Sequence, residues 1–129
     1  SGDPAAAGRF PFAGPAANLF LCFLAAFFMT FLNRFGLLSD GVYSFLLWMQ
    51  LYNVWFAFFN LIPVPPLDGS KILSELLPPS MAWKFDNLVG RYGFYILIVL
   101  VFTGITGAII RPLAAGYMLL VNGILGLVF

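Results

Sequence analysis

Between Phe59 and Gly69 the chain reads Phe-Asn-Leu-Ile-Pro-Val-Pro-Pro-Leu-Asp-Gly. This run closes an uncharged stretch long enough to cross a bilayer, and it constrains the fold more than any other feature of the sequence. Pro63, Pro65 and Pro66 remove backbone donors and forbid regular helix. Irregular backbone at membrane depth is tolerated only where protein buries it or where it lines a polar cavity. The same segment carries Asp68, and an ionisable group is expensive there and by default marks a functional site. The chain thus sets a carboxylate in a buried, polar, non-helical spot.

The membrane assignment follows from composition. The sequence is 62% hydrophobic and 9% charged, whereas soluble domains carry roughly a quarter charged residues. Sixteen phenylalanines suit lipid-facing and packed helix surfaces better than a small soluble core. A net charge of +1 without a basic stripe gives no footprint for nucleic acid. The single cysteine, Cys22, excludes an internal disulfide and a cysteine-based metal cluster; within its apolar run it reads as a small buried hydrophobe. There is no histidine.

Stretches of about twenty apolar residues predict an all-α, polytopic transmembrane bundle, one domain over residues 1–129 with spans at about 14–33, 42–62, 94–110 and 113–129. Breaks are expected around Gly36 and at Arg111-Pro112. The polar interval 63–93 holds most of the charges. It predicts a short amphipathic helix over 71–77, stopped by Pro78-Pro79, and an interfacial helix over 81–89. The first dozen residues lack the apolar core of a signal peptide. With four spans, Arg9, Lys71, Lys84 and Arg91 share one side, opposite Arg34 and Arg111, so the positive-inside rule places that side in the cytoplasm.

Several motifs resemble the site-2 protease family of intramembrane zinc metalloproteases, in particular its compact members without a PDZ insertion. An Asn-x-x-Pro-x-x-x-Leu-Asp-Gly-type element is matched by Asn60, Pro63, Pro65, Pro66, Leu67, Asp68 and Gly69. An Ala-Gly-Pro-x-x-Asn element is matched by Ala13, Gly14, Pro15 and Asn18. A Gly-Asp-Pro element followed by Gly-Arg resembles Gly2, Asp3, Pro4, Gly8 and Arg9. Arg91-Tyr92-Gly93 before an apolar helix containing Thr103-Gly104 is similar as well.

The resemblance implies a hydrolase of membrane-spanning protein substrates, acting in regulated intramembrane proteolysis within the cell membrane of a prokaryote. In that family two histidines of a His-Glu-x-x-His helix and the aspartate of Leu-Asp-Gly bind zinc. Three protein ligands leave one position open for water, the pattern of a catalytic site. The metal brings that water's pKa from 15.7 towards roughly 7 and polarises the scissile carbonyl. The family pattern makes Asp68 the third ligand and gives Asn60 a role in orienting substrate or stabilising the oxyanion. Pro63, Pro65, Pro66, Leu67 and Gly69 form the scaffold. The broken backbone is expected to offer peptide groups to an unwound substrate.

The chain departs from the family in having no His-Glu-x-x-His, so it holds the substrate-side and third-ligand part only, without ligands or general base for a complete catalytic site. In the family the metal-binding helix lies just before the Gly-Asp-Pro element. The resemblance therefore predicts a partner segment, upstream of Gly2, that carries the other ligands; zinc is not expected to stay on this chain alone. Two further readings stay open: a non-catalytic relative that binds membrane helices, and a transporter-like polytopic fragment. Plainer roles also exist for single residues. Asp68 can cap the helix beginning near Ser70, and Asn60 can satisfy backbone groups freed by the prolines. Asn18 can hydrogen-bond between helices, while Trp48, Trp55 and Trp83 can anchor or pack. Gly104, Gly107, Gly123 and Gly126 are expected at close helix contacts, and Lys71 with Glu75 forms an i,i+4 surface pair.

Overall fold

Each helix in the chain has a local reason to start and stop. A computed structural model describes residues 10–129, and among these it contains five α-helices and no strand: α1 (Ala13–Arg34), α2 (Asp40–Asn60), α3 (Asp68–Leu76), α4 (Pro79–Phe102) and α5 (Ile105–Val128). Pro15 sits in the first turn of α1, where its missing N–H has no helical partner to lose. After Arg34, Gly36 takes a left-handed conformation at φ 69°, the usual way to turn a chain out of a helix. Ser39 then caps α2, its Oγ accepting from the Val42 N–H at 3.3 Å, and Asp40 complements the helix dipole in the first turn. At 1.5 Å per residue, α1, α2, α4 and α5 are about 32–36 Å long. All four are long and apolar enough to cross a membrane, and much of their apolar surface is exposed, including Phe20, Phe45, Phe94 and Phe102. The chain is an integral membrane protein by this criterion.

The last two spans differ from the expected 94–110 and 113–129. Residues 81–89 are not a separate interfacial helix but the opening turns of α4, which runs unbroken to Phe102. Pro79 stands at the first helical position, where its fixed φ helps rather than hinders. Arg91 interrupts the apolar pattern without interrupting the backbone, because a charge does not break a helix. The actual break is Thr103-Gly104, with Gly104 at φ 81°. Pro112 lies inside α5, as transmembrane helices permit when neighbouring groups accommodate the freed carbonyl. The short helix likewise begins at Asp68, three residues earlier than expected.

The predicted glycine contacts also need correction. An added Cβ on Gly104, Gly123 or Gly126 would meet nothing within 4 Å, and on Gly107 only the Arg111 side chain of the same helix. These glycines are not points of close helix approach; the crowded ones, Gly14, Gly69 and Gly93, lie elsewhere.

α1 packs along α2, and α5 lies against both, while α4 touches α5 and carries α3. The core combines Cys22 of α1, Val54 of α2, and Ile110 and Ala114 of α5 with Ile62, Val64 and Leu67 of the proline segment. Leu97 and Leu100 of α4 close it from the other side. Polar bonds tie the helices together within this apolar setting. Tyr117 Oη donates to the Leu19 carbonyl, the Cys22 thiol to Met118 Sδ at 3.5 Å, and Gln50 Nε2 to Met29 Sδ at 3.5 Å. Gln50, at 4% exposure, also donates through Nε2 to the Leu46 carbonyl.

Candidate functional site

The proline segment solves its backbone problem internally. Of residues 61–67, only Leu61, Ile62, Val64 and Leu67 have an N–H to place, because the others are proline. Leu61 and Ile62 donate back to the Phe58 and Phe59 carbonyls at 3.2 and 3.1 Å. Val64 donates to Ile62 at 2.8 Å, and Leu67 to Val64 at 3.0 Å. The prolines have no N–H to leave unpaired, which is how a non-helical segment can reach the bundle core. This alters one expectation: the segment has no spare donor for an unwound substrate, and only carbonyls such as those of Pro63, Pro65 and Pro66 remain to accept.

Three glycines fix the segment in place. A Cβ on Gly69 would overlap the Leu61 and Ile62 carbonyl oxygens, so the start of α3 lies directly on the end of α2. A Cβ on Gly93 of α4 would stand 2.9 Å from Pro65 Cδ. A Cβ on Gly14 of α1 would stand 3.2 Å from Asp68 Oδ2. Elements far apart in sequence, around Gly14, 60–69 and Gly93, therefore converge on one spot. Sequence reasoning quoted all three glycines but assigned no contact to Gly14 or Gly93. Their signal was only that small residues recur inside these motifs.

Asp68 is half-buried at the first position of α3. It does not cap that helix. Leu67 holds the cap position, with no side-chain cap bond, and Ser70 bonds the Leu67 carbonyl through both its N–H, at 3.3 Å, and its Oγ, at 2.8 Å. Among the described residues no side chain donates to the Asp68 carboxylate. Asn60, the last residue of α2, is half-buried, and its Nδ2 donates to the Phe56 carbonyl at 2.9 Å. Its amide is thus turned back along its own helix, and no hydrogen bond joins it to Asp68. Asn18 is half-buried in α1 and makes no interhelical bond among the described residues. The Gly2, Asp3, Pro4, Gly8 and Arg9 element lies outside the described residues.

Zinc in a catalytic site takes three protein ligands, drawn from histidine, cysteine and carboxylate. Among the described residues no group of three such side chains comes together. Cys22 is buried away in the core against Met118, and the sequence has no histidine. The described residues do not complete a zinc site around Asp68.

Comparison with known proteins supports the motif reading. The family model "Peptidase family M50" matches residues 36–103. The Bacillus subtilis (strain 168) protein named "Putative zinc metalloprotease YwhC" is 35% identical over 107 residues, covering 78% of this chain and 48% of that protein. "Putative zinc metalloprotease MJ0611" of Methanocaldococcus jannaschii is 36% identical over 70 residues, covering 51% of this chain and 32% of its own length. The chain thus spans half or less of the length of these relatives. No solved structure matches it significantly. With the family model covering more than half of its residues, from the end of α1 to the α4–α5 turn, this chain belongs to peptidase family M50, the site-2 protease family.

Proposed function

We propose that this chain is a single transmembrane domain forming the substrate-side, third-ligand portion of an intramembrane zinc metalloprotease. Asp68 is the metal ligand it contributes, and a separate segment bearing His-Glu-x-x-His supplies the remaining ligands and the general base. The substrate is a membrane-spanning protein helix, unwound near the bond to be hydrolysed. The observation that carries this reading is that Ile62, Val64 and Leu67 of the 60–69 break enter the bundle core, with Asp68 beside Gly14. A carboxylate that merely capped α3 needs no such setting. Asn60 serves to orient substrate, which requires its amide to swing away from the Phe56 carbonyl. The carbonyls of Pro63, Pro65 and Pro66 accept hydrogen bonds from substrate N–H groups. The protein resides in a prokaryotic cell membrane, with the 61–78 connection on the cytoplasmic side, the side to which the positive-inside count over the sequence assigns its basic residues.

The absence of histidine favours a second reading, a non-catalytic relative that binds membrane helices without cutting them. Co-expression with a membrane segment carrying His-Glu-x-x-His separates the two. Cleavage of a transmembrane reporter that Asp68→Ala abolishes is the expected result. Complex formation without cleavage favours the binding relative.

A further inference from the structure

A second polar feature lies between α3 and α4, next to the contact of Pro65 with Gly93. A cavity of about 300 Å³ opens between α3 and the first turns of α4, lined by Pro65, Ser70, Lys71, Ser74, Glu75 and Asp86, with Val89 in its floor. Pro65 and the buried Val89 are its apolar part, and Lys71, Glu75 and Asp86 are exposed around it. Ser74 Oγ donates to Asp86 Oδ2 at 3.0 Å, which fixes α3 to α4 and leaves Asp86 Oδ1 available. The helices α2 and α4 are both candidate spans, so the connection that carries α3 lies at one membrane face.

We propose that this cavity binds the phosphoethanolamine headgroup of a membrane lipid. One ammonium and two carboxylates around one cavity match a zwitterion whose phosphate and amine lie a few bonds apart. Lys71 pairs with the phosphate, and Glu75 and Asp86 accept N–H bonds from the primary ammonium. Bonds between ionised partners are roughly twice as strong as neutral ones. A choline headgroup carries the same charges but has no N–H to donate. A glycerol headgroup offers the two carboxylates only an anion, which like-charge repulsion disfavours. The site is distinct from Asp68, and its occupancy does not depend on the proteolytic reading.

The test is native mass spectrometry of the purified chain released from phosphatidylcholine nanodiscs doped equally with phosphatidylethanolamine and phosphatidylglycerol. Retention of phosphatidylethanolamine over both other lipids is expected. The double variant Glu75→Gln/Asp86→Asn should lower that preference about tenfold or more, and Lys71→Met should weaken retention as well. Asparagine at position 86 can still accept the Ser74 bond, so α3 stays docked; a helical circular dichroism spectrum matching wild type checks this. Equal retention of the three lipids by the wild-type chain, or an undiminished preference in a correctly folded double variant, would overturn the proposal. Soluble glycerophosphoethanolamine distinguishes the source: competition with the bound lipid supports a lipid site. Its binding in detergent without any lipid retention from nanodiscs would contradict one.

Discussion

Gly14 faces Asp68 so closely that a methyl group on the glycine would stand 3.2 Å from the carboxylate Oδ2. The first turn of α1 therefore forms one wall of the carboxylate's surroundings, and the Ala-Gly-Pro and Leu-Asp-Gly elements belong to one place. Alanine is the better helix former by about 1 kcal/mol, and the carboxylate can yield a few tenths of an ångström. Gly14→Ala is thus expected to leave thermal stability in detergent unchanged or slightly raised. In the reconstituted complex it should nevertheless reduce Asp68-dependent cleavage, and Gly14→Val should reduce it further. A Gly14→Val protein with full cleavage activity would remove Gly14 from the site.

Gly69 has no such freedom, because backbone carbonyls rather than a movable side chain occupy the space. Gly69→Ala should force the start of α3 away from α2 and cost about 2–4 kcal/mol, in the range of overpacked or strained positions. Gly123→Ala, in open space on α5, should be neutral or stabilising by up to about 1 kcal/mol. Comparing their thermal unfolding in the same detergent checks the prediction. Equal effects at the two positions would contradict the packing described.

Tyr117 on α5 reaches the Leu19 carbonyl of α1 through its hydroxyl. Hydrogen bonds between membrane helices average about 0.6 kcal/mol and seldom exceed about 1.7. Tyr117→Phe should therefore lower stability by about that amount while keeping the ring's packing against Phe58. A loss well above 2 kcal/mol by steric-trap or denaturant unfolding would mean that the hydroxyl does more than join two helices.

The α4–α5 boundary supplies a fourth test. Gly104 holds φ 81°, where an L side chain is strained by roughly 1–2 kcal/mol, so Gly104→Ala should destabilise by about that much. Pro112→Ala restores a backbone donor inside α5 and should stabilise or leave stability unchanged. The opposite pattern would return the break to Arg111-Pro112.

The sequence carried the architecture in its apolar stretches and the site in its exceptions. Pro63, Pro65, Pro66 and Asp68 stood out because membrane helices rarely tolerate them, and the segment they define does enter the core. The helix ends were less legible. Arg91 and Arg111 attracted the boundaries because hydropathy registers charge, whereas a chain turns where a residue such as Gly104 accepts a left-handed conformation. The glycine contacts were barely legible. Hydropathy does not distinguish Gly69, pressed against two carbonyls, from Gly126 in open space; only its place in the Leu-Asp-Gly element sets it apart. The donor accounting of 61–67 was available from the proline positions alone, yet it needed the observed turns to show that every remaining N–H is used.

The central claim is that Asp68 is one ligand of a zinc site completed by a segment other than this chain. Zinc content of the purified complex with a His-Glu-x-x-His segment, measured beside the chain alone and the Asp68→Ala complex, tests it most directly. The expected result is stoichiometric zinc in the complex, none in the isolated chain, and loss of most of the metal on Asp68→Ala. Stoichiometric zinc in the isolated chain, or full retention by the Asp68→Ala complex, would contradict it.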